Sequence, residues 1–212
     1  MVLNPRDLRL YLVTDRALCA DRGLVETVSA AVRGGARCVQ LRDKDATTAE
    51  RIAIARALKA ALAGPGVPLL INDDVDAARA AGTDGVHLGQ DDPSPEAARA
   101  QLGPDAIIGL SCDTEAHVRA ADPKVVDYLG IGTVFPTATK GDHKPAIGLD
   151  GLARLCAHSA LPTVAIGGLK AEHSHAVFDA GADGLAVVSA ICGHHDPEAA
   201  ARAFNQPEVD PT

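Results

Sequence analysis

Ala81-Gly82-Thr83-Asp84-Gly85-Val86-His87-Leu88 and Ala180-Gly181-Ala182-Asp183-Gly184-Leu185-Ala186-Val187 are weak copies of one pattern, and Gly34-Gly35-Ala36-Arg37-Cys38-Val39 is a looser third. Each copy closes a helix-like stretch, offers a Gly suited to a left-handed cap, and opens an apolar strand. Working outward, apolar strand-like runs recur at Leu10–Val13, Cys38–Leu41, Pro68–Ile71, Gly85–Leu88, Ile107–Leu110, Tyr128–Ile131, Thr163–Ile166 and Leu185–Val188. Helical stretches separate them: Val25–Arg33, Thr48–Ala63, Val75–Ala81, Pro95–Leu102, Glu115–Ala121, Asp150–Ser159, Ala171–Ala180 and Pro197–Phe204. Thr47 or Thr48, Ser94 and Asp196 stand where helix caps belong, with Pro95 and Pro197 in first turns. Strict alternation predicts a parallel sheet with helical crossovers, and eight such units close naturally into a (β/α)₈ TIM barrel. The alternative is an open, doubly wound sheet. No long linker, low-complexity tract or charge run interrupts Met1–Thr212, so one barrel domain is expected. The repeated junctions then lie at the bottom of the barrel and are structural.

The bulk composition restricts the chemistry. Of 212 residues 47% are hydrophobic, with no Trp, three Phe and two Tyr. Such an aliphatic core suits helix–sheet packing but gives few stacking platforms for bases. The net charge of −8 also argues against a phosphate-backbone partner, so nucleic acid is excluded as an expectation. Cys19, Cys38, Cys112, Cys156 and Cys192 are odd in number and contain no Cys-x-x-Cys, and they read mostly as small buried hydrophobes. No signal-peptide pattern opens the sequence, and no apolar run approaches the ~20 residues of a membrane span. A cytoplasmic, reducing compartment is expected.

The chemistry concentrates where strands end. Gln40-Leu41-Arg42-Asp43-Lys44 follows Cys38-Val39, Asn72-Asp73-Asp74 follows Leu69-Leu70-Ile71, and Gly89-Gln90-Asp91-Asp92 follows Val86-His87-Leu88. Barrel strands deliver such residues to one rim. Cations beside carboxylates suit a polyphosphate, with Arg and Lys on its oxygens and Mg²⁺ held by carboxylates. Asp73 and Asp92 are the metal candidates, and no His/Cys cluster competes for a softer ion. Asp74 could instead cap the helix beginning near Val75, and Asp91 reads as solvated. Gly167-Gly168 and Val188-Ser189-Ala190-Ile191 end the last two strands, where phosphate-binding barrels offer backbone N–H groups to an anion. The long loop Thr133–Pro145 carries Thr137, Thr139 and Lys140, suited to another phosphate and to closing over a substrate. Gly130-x-Gly132 lacks the third Gly of a dinucleotide fingerprint and is discounted. His173, His175, His194 and His195 read as non-catalytic, and so does His87, which points inward or against a helix.

With these residues in order, the chain resembles the thiamine-phosphate synthase family. The motifs carrying the resemblance run from Leu10-Tyr11-Leu12-Val13-Thr14-Asp15 to about Phe204. They add His87-Leu88-Gly89-Gln90-Asp91-Asp92, Gly109-Leu110-Ser111, Phe135-Pro136-Thr137-Ala138-Thr139-Lys140 and Ile166-Gly167-Gly168 to those above. The resemblance implies a transferase that joins 4-amino-5-hydroxymethyl-2-methylpyrimidine diphosphate to a thiazole phosphate, plain or carboxylated, with loss of pyrophosphate. It implies that Gln40, Arg42, Lys44, Asn72, Ser111 and Lys140 hold the pyrimidine diphosphate, with Leu41 and Asp43 of the same motif among the substrate-binding residues, and that Asp73 and Asp92 hold Mg²⁺. Thr137, Ala138, Thr139, Gly168, Val188 and Ser189 would hold the thiazole phosphate. Arg42, Lys44 and Lys140 would act directly on the leaving group. Small-molecule substrates are the implied partners, with a homodimer left open.

Family members commonly carry a His two residues after the Ser of Gly109-Leu110-Ser111, and here Asp113 stands there. The related thiazole tautomerases depend on a His in that region. The departure therefore favours the coupling enzyme over a tautomerase, and a degenerate, non-catalytic phosphate-binding barrel should have lost more of the set.

Overall fold

The structure, a computed structural model, describes residues 3–137 and 145–205. Eight parallel strands close into a barrel in sequence order: β1 (Leu10–Val13), β2 (Cys38–Leu41), β3 (Leu69–Asn72), β4 (Gly85–Leu88), β5 (Ile107–Cys112), β6 (Tyr128–Gly132), β7 (Thr163–Ile166) and β8 (Gly184–Val187). Closure pairs Tyr11 of β1 with both Cys38 of β2 and Ala186 of β8. The crossovers are α1 (Leu24–Arg33), α2 (Thr48–Leu62), α3 (Val75–Ala81), α4 (Pro95–Leu102), α5 (Glu115–Ala120), α6 (Gly148–Cys156) and α7 (Ser174–Asp179). After β8 come a short α8 (Ser189–Cys192) and α9 (Pro197–Ala203), which packs on α1. The TIM barrel expected from the alternation is the fold observed. No helix among the described residues is long and apolar enough to cross a membrane.

Helix starts follow the sequence signals. Thr47, not Thr48, caps α2, and a reciprocal box with Glu50 satisfies two of its first N–H groups. Ser94 and Asp196 cap α4 and α9 ahead of Pro95 and Pro197. Several boundaries differ from the sequence reading, most by one residue; α6 starts two residues earlier and ends three earlier than expected, and β5 runs two residues further, through Ser111 to Cys112. The stretch expected as one helix over Ala171–Ala180 divides into a 3₁₀ turn at Ala171–His173 and α7, because His173 Nδ1 accepts the Lys170 N–H and tightens the entry. Strand β3 extends to Asn72. Val188 leaves β8 and becomes the residue preceding α8.

The repeated junctions are clamps at the barrel bottom. Asp84 donates its N–H to Leu69 O and accepts the Leu69 N–H on Oδ2, both at 2.9 Å. Asp183 does the same to Thr163, at 2.9 and 2.8 Å, and Asp127 to Ile108, at 2.8 and 2.7 Å. In the looser copy Arg37 replaces the Asp, and only the backbone bond to Leu10 O, at 2.9 Å, remains. Each Asp thus pairs the first donor and acceptor of a strand end that would otherwise be orphaned.

Strand side chains alternate between two cores. Outward residues such as Leu12, Val39, Leu41, Ile71, Leu88 and Ile131 meet the helices. Inward residues Tyr11, Val13, Leu70, Ile107, Tyr128, Val164 and Ala186 fill the barrel with Leu8 and Cys38. The interior rings of Tyr128 and His87 need space that Gly supplies: a Cβ on Gly109 would lie 2.2 Å from Tyr128 Cζ, and one on Gly130 would lie 2.9 Å from His87 Cε1. Gly130 therefore accommodates an interior ring. All five cysteines are free thiols. Cys156 is partly buried and the others are buried, and burial pushes the Cys112 thiol up to about 12.

Candidate active site

A cavity of about 290 Å³ opens at the carboxyl ends of the strands, with the inward residues of the barrel as its floor. Parity decides what β2 contributes. Gln40, Arg42 and Lys44 line the cavity. Leu41, fully buried, is turned into the outer core, and the Asp43 side chain, 4% exposed, pairs with Arg16 at 3.4 Å. Neither Leu41 nor Asp43 lines the cavity, although both belong to the contiguous motif, because a strand presents alternate residues to one face.

Arg42 is set by its backbone. Thr14, fully buried at the end of β1, donates its N–H to Gln40 O at 2.9 Å and accepts the Arg42 N–H on Oγ1 at 3.0 Å. Arg51 of α2 holds the next turn, donating to Asp43 O at 3.1 Å and Ala46 O at 2.7 Å while pairing with Asp74. Asp74 is the cap of α3, as one sequence reading had it, accepting the Ala77 N–H at 2.8 Å and the Thr48 hydroxyl at 2.8 Å. Burial pushes the Asp74 carboxyl up, but these donors and the Arg51 guanidinium outweigh it and hold the carboxyl below its ordinary value. Lys44 and Asp73 are therefore presented by loops tied to one guanidinium.

Asp73 and Asp92, from neighbouring strands, both line the cavity. Asp73 adopts φ 64°, a left-handed conformation uncommon outside Gly, with Asn72 Nδ2 donating to its Oδ2. Its N–H is held by His87 O at 2.9 Å. Asp92 Oδ2 accepts the Gly89 N–H at 2.7 Å and closes the turn after β4. No group of three or more His, Cys, Asp or Glu suited to a metal occurs among the described residues. Two oxygen donors on one wall fit Mg²⁺, which keeps several waters and shares ligand oxygens, rather than a metal needing a full protein cage.

Ser111 of β5 lies on the floor, its Oγ 2.9 Å from His87 Nε2 and its carbonyl accepting Gln90 Nε2 at 2.6 Å. Asp113 lines the rim, and its Oδ1 is 2.7 Å from His117 Nδ1. A His thus reaches this carboxylate from four residues downstream. The spacing of four between Asp113 and His117 is the one sequence signal for this pair.

On the opposite wall, Thr137, Gly168, Val188 and Ser189 line the cavity. Gly167 and Gly168 take φ 105° and 63°, and a Cβ on Gly168 would lie 2.7 Å from Pro136 O. The pair therefore lets the β6 and β7 loops touch on this wall. Ala138, Thr139 and Lys140 lie outside the described residues. Among the remaining histidines, His173 stacks on Phe135 with centroids 4.5 Å apart, His175 meets Asp179 at 2.9 Å, and His194 stacks on His195. The cavity also includes Tyr11, His87 and Tyr128, none of them among the expected site residues, with His87 in the inward of its two expected orientations. All three share the inward parity of Gln40 and Ser111, the one sequence signal that could have placed them.

The profile of the thiamine monophosphate synthase family matches residues 10–191. Thiamine-phosphate synthases of Azorhizobium caulinodans and Xanthobacter autotrophicus are 56% and 57% identical over 201 residues, covering 95% of this chain and 95% of each relative. The thiamine phosphate pyrophosphorylase of Pyrococcus furiosus superimposes with a TM-score of 0.85 at 36% identity, covering 95% of both chains. Extensive identity across a barrel of this topology and cavity leaves one conclusion: the chain is an enzyme that belongs to the thiamine monophosphate synthase family.

Proposed function

We propose that the chain couples 4-amino-5-hydroxymethyl-2-methylpyrimidine diphosphate with a thiazole phosphate to give thiamine phosphate and pyrophosphate, acting as a cytoplasmic transferase. The observation carrying this reading is that one cavity joins the cationic end of β2, the carboxylates of β3 and β4, and the glycine and serine ends of β7 and β8. Two anionic substrates could thus meet there, each on its own wall. Gln40, Asn72 and Ser111 would hold the pyrimidine. Thr137, Gly168, Val188 and Ser189, with Ala138 and Thr139 of the adjoining loop, would hold the thiazole phosphate.

The methylene–oxygen bond breaks first, and its electron pair leaves with the pyrophosphate. Arg42 and Lys44, with Lys140 from the loop, counter the charge that builds on the departing oxygens. Fixed cations in a partly dry cavity stabilise developing charge more than mobile water does. Asp73 and Asp92 would hold Mg²⁺, which when bound adds positive charge against the diphosphate. The aminopyrimidine ring stabilises the methylene cation, and the apolar floor of Val13, Val164, Ile166 and Ala186 limits its capture by water. The thiazole nitrogen then forms the new carbon–nitrogen bond. Placement replaces acid–base chemistry in this scheme.

The two walls should be separable. Arg42→Ala is expected to weaken pyrimidine diphosphate binding or turnover by about 10²-fold with thiazole phosphate affinity little changed. Ser189→Ala should chiefly weaken thiazole phosphate, by about 10-fold. Titration of each ligand into each variant by calorimetry decides it. If Ser189→Ala impaired only pyrimidine diphosphate binding, the walls would be assigned in reverse.

A further inference from the structure

Beneath the proposed substrate walls, one hydrogen-bond chain crosses the barrel. Gln40 Nε2 donates to the Tyr11 hydroxyl at 2.7 Å, and the Tyr11 and Tyr128 hydroxyls are 2.9 Å apart. The Tyr128 hydroxyl is 2.8 Å from His87 Nδ1, and His87 Nε2 is 2.9 Å from Ser111 Oγ. Both phenols are fully buried, and burial raises them well above their ordinary value, so they remain neutral links. Gly109 and Gly130 are the positions that leave room for the Tyr128 and His87 rings.

Either hydroxyl could donate across the Tyr11–Tyr128 contact, but with the Gln40 N–H on Tyr11 only one direction places every hydroxyl proton within these bonds. In that arrangement the Tyr11 proton goes to Tyr128 and the Tyr128 proton to His87 Nδ1. A neutral His87 then carries its proton on Nε2 and donates to Ser111, which leaves the Ser111 proton for the cavity. At the other end, Gln40 has committed an N–H and keeps its carbonyl Oε1 as an acceptor. Reversing the direction with every hydroxyl proton still used within the chain requires the Gln40 amide to turn over. The two ends are therefore a matched acceptor and donor.

We infer that this chain sets the polarity of the pyrimidine subsite, making Tyr11, Tyr128 and His87 positioning residues that select an aminopyrimidine over its oxo analogue. The inference rests on the function proposed above and deepens it. An exocyclic amino group beside a ring nitrogen presents a donor next to an acceptor, complementary to Gln40 Oε1 and the Ser111 hydroxyl. A 4-oxo pyrimidine presents a carbonyl and an N–H in the reverse sense. It would set acceptor against acceptor and donor against donor, a mismatch a buried polar site rejects strongly.

Two readouts test it. Nitrogen-15 NMR of the imidazole rings should show His87 in the wild-type protein as a single neutral tautomer protonated on Nε2. In Tyr128→Phe, which removes the donor to Nδ1, the ring should populate both tautomers. Wild-type protein should bind the 4-amino pyrimidine diphosphate at least about 100-fold more tightly than the 4-oxo analogue. Tyr11→Phe and Tyr128→Phe should each reduce that ratio at least about tenfold while inorganic pyrophosphate binding is unchanged. Protonation of His87 on Nδ1 in the wild type, or an undiminished ratio in both variants, would overturn the inference. If neither pyrimidine bound the wild type, the substrate reading and the selectivity would fall together, while the tautomer would still report the direction of the chain.

Discussion

Asp73→Ala and Asp92→Ala are each expected to lower turnover by at least about 10²-fold, the order of loss when one preorganised group facing developing charge is removed. The two carboxylates reach the cavity from adjacent strands, Asp73 through a left-handed backbone that its neighbours over-determine. Both also serve the fold locally, Asp92 by accepting the Gly89 N–H and Asp73 by accepting the Asn72 amide, and Asp73→Ala places an Ala at φ 64°. Both variants should therefore melt somewhat below the wild type while staying folded, with a loss of rate far beyond what that fall explains, and a chelator should reduce the wild type to their level. Steady-state rates with and without added Mg²⁺, set beside thermal melts, measure this. Full activity of both variants in chelator would remove the metal assignment.

A large effect on folding is expected at Gly109→Ala. The added methyl would stand 2.2 Å from Tyr128 Cζ and 2.3 Å from its hydroxyl, against a ring packed in the barrel interior. Overpacking of this kind costs about 3 kcal/mol or more. For a chain of this size that is a fall of roughly 6–12 °C in melting temperature. Scanning calorimetry checks it, and an unchanged melt would mean that the tyrosine ring is free to move. Gly130→Ala should be milder, because its contact is to one edge atom of His87 at 2.9 Å.

The fold was legible because each level of the sequence agreed. Apolar runs, caps at Thr47, Ser94 and Asp196, and the Gly–Asp junctions all specify the same eight units. The rims were legible for the same reason, since charge following a buried strand has only one exit. Contiguity misled within the motif Gln40–Lys44, where Leu41 and Asp43 face away from the residues they adjoin. The helix start at Ala171 was misplaced because a side chain, His173, competes locally for the Lys170 N–H. Parity turns the members of the chain from Gln40 to Ser111 inward, but not the bonds between them. Tyr11 and Tyr128 are far apart in sequence, and their hydroxyls meet only once β1 and β6 face each other across a closed barrel. Gly130, which admits the His87 ring beside them, looks in sequence like part of a nucleotide fingerprint.

Product formation by the purified protein is the most direct measure of the account. Supplied with the pyrimidine diphosphate, the thiazole phosphate and Mg²⁺, it should release thiamine phosphate and pyrophosphate in equal amounts, with none formed when either substrate is omitted. Binding of both substrates with no thiamine phosphate formed, under conditions where the protein is folded, would contradict it.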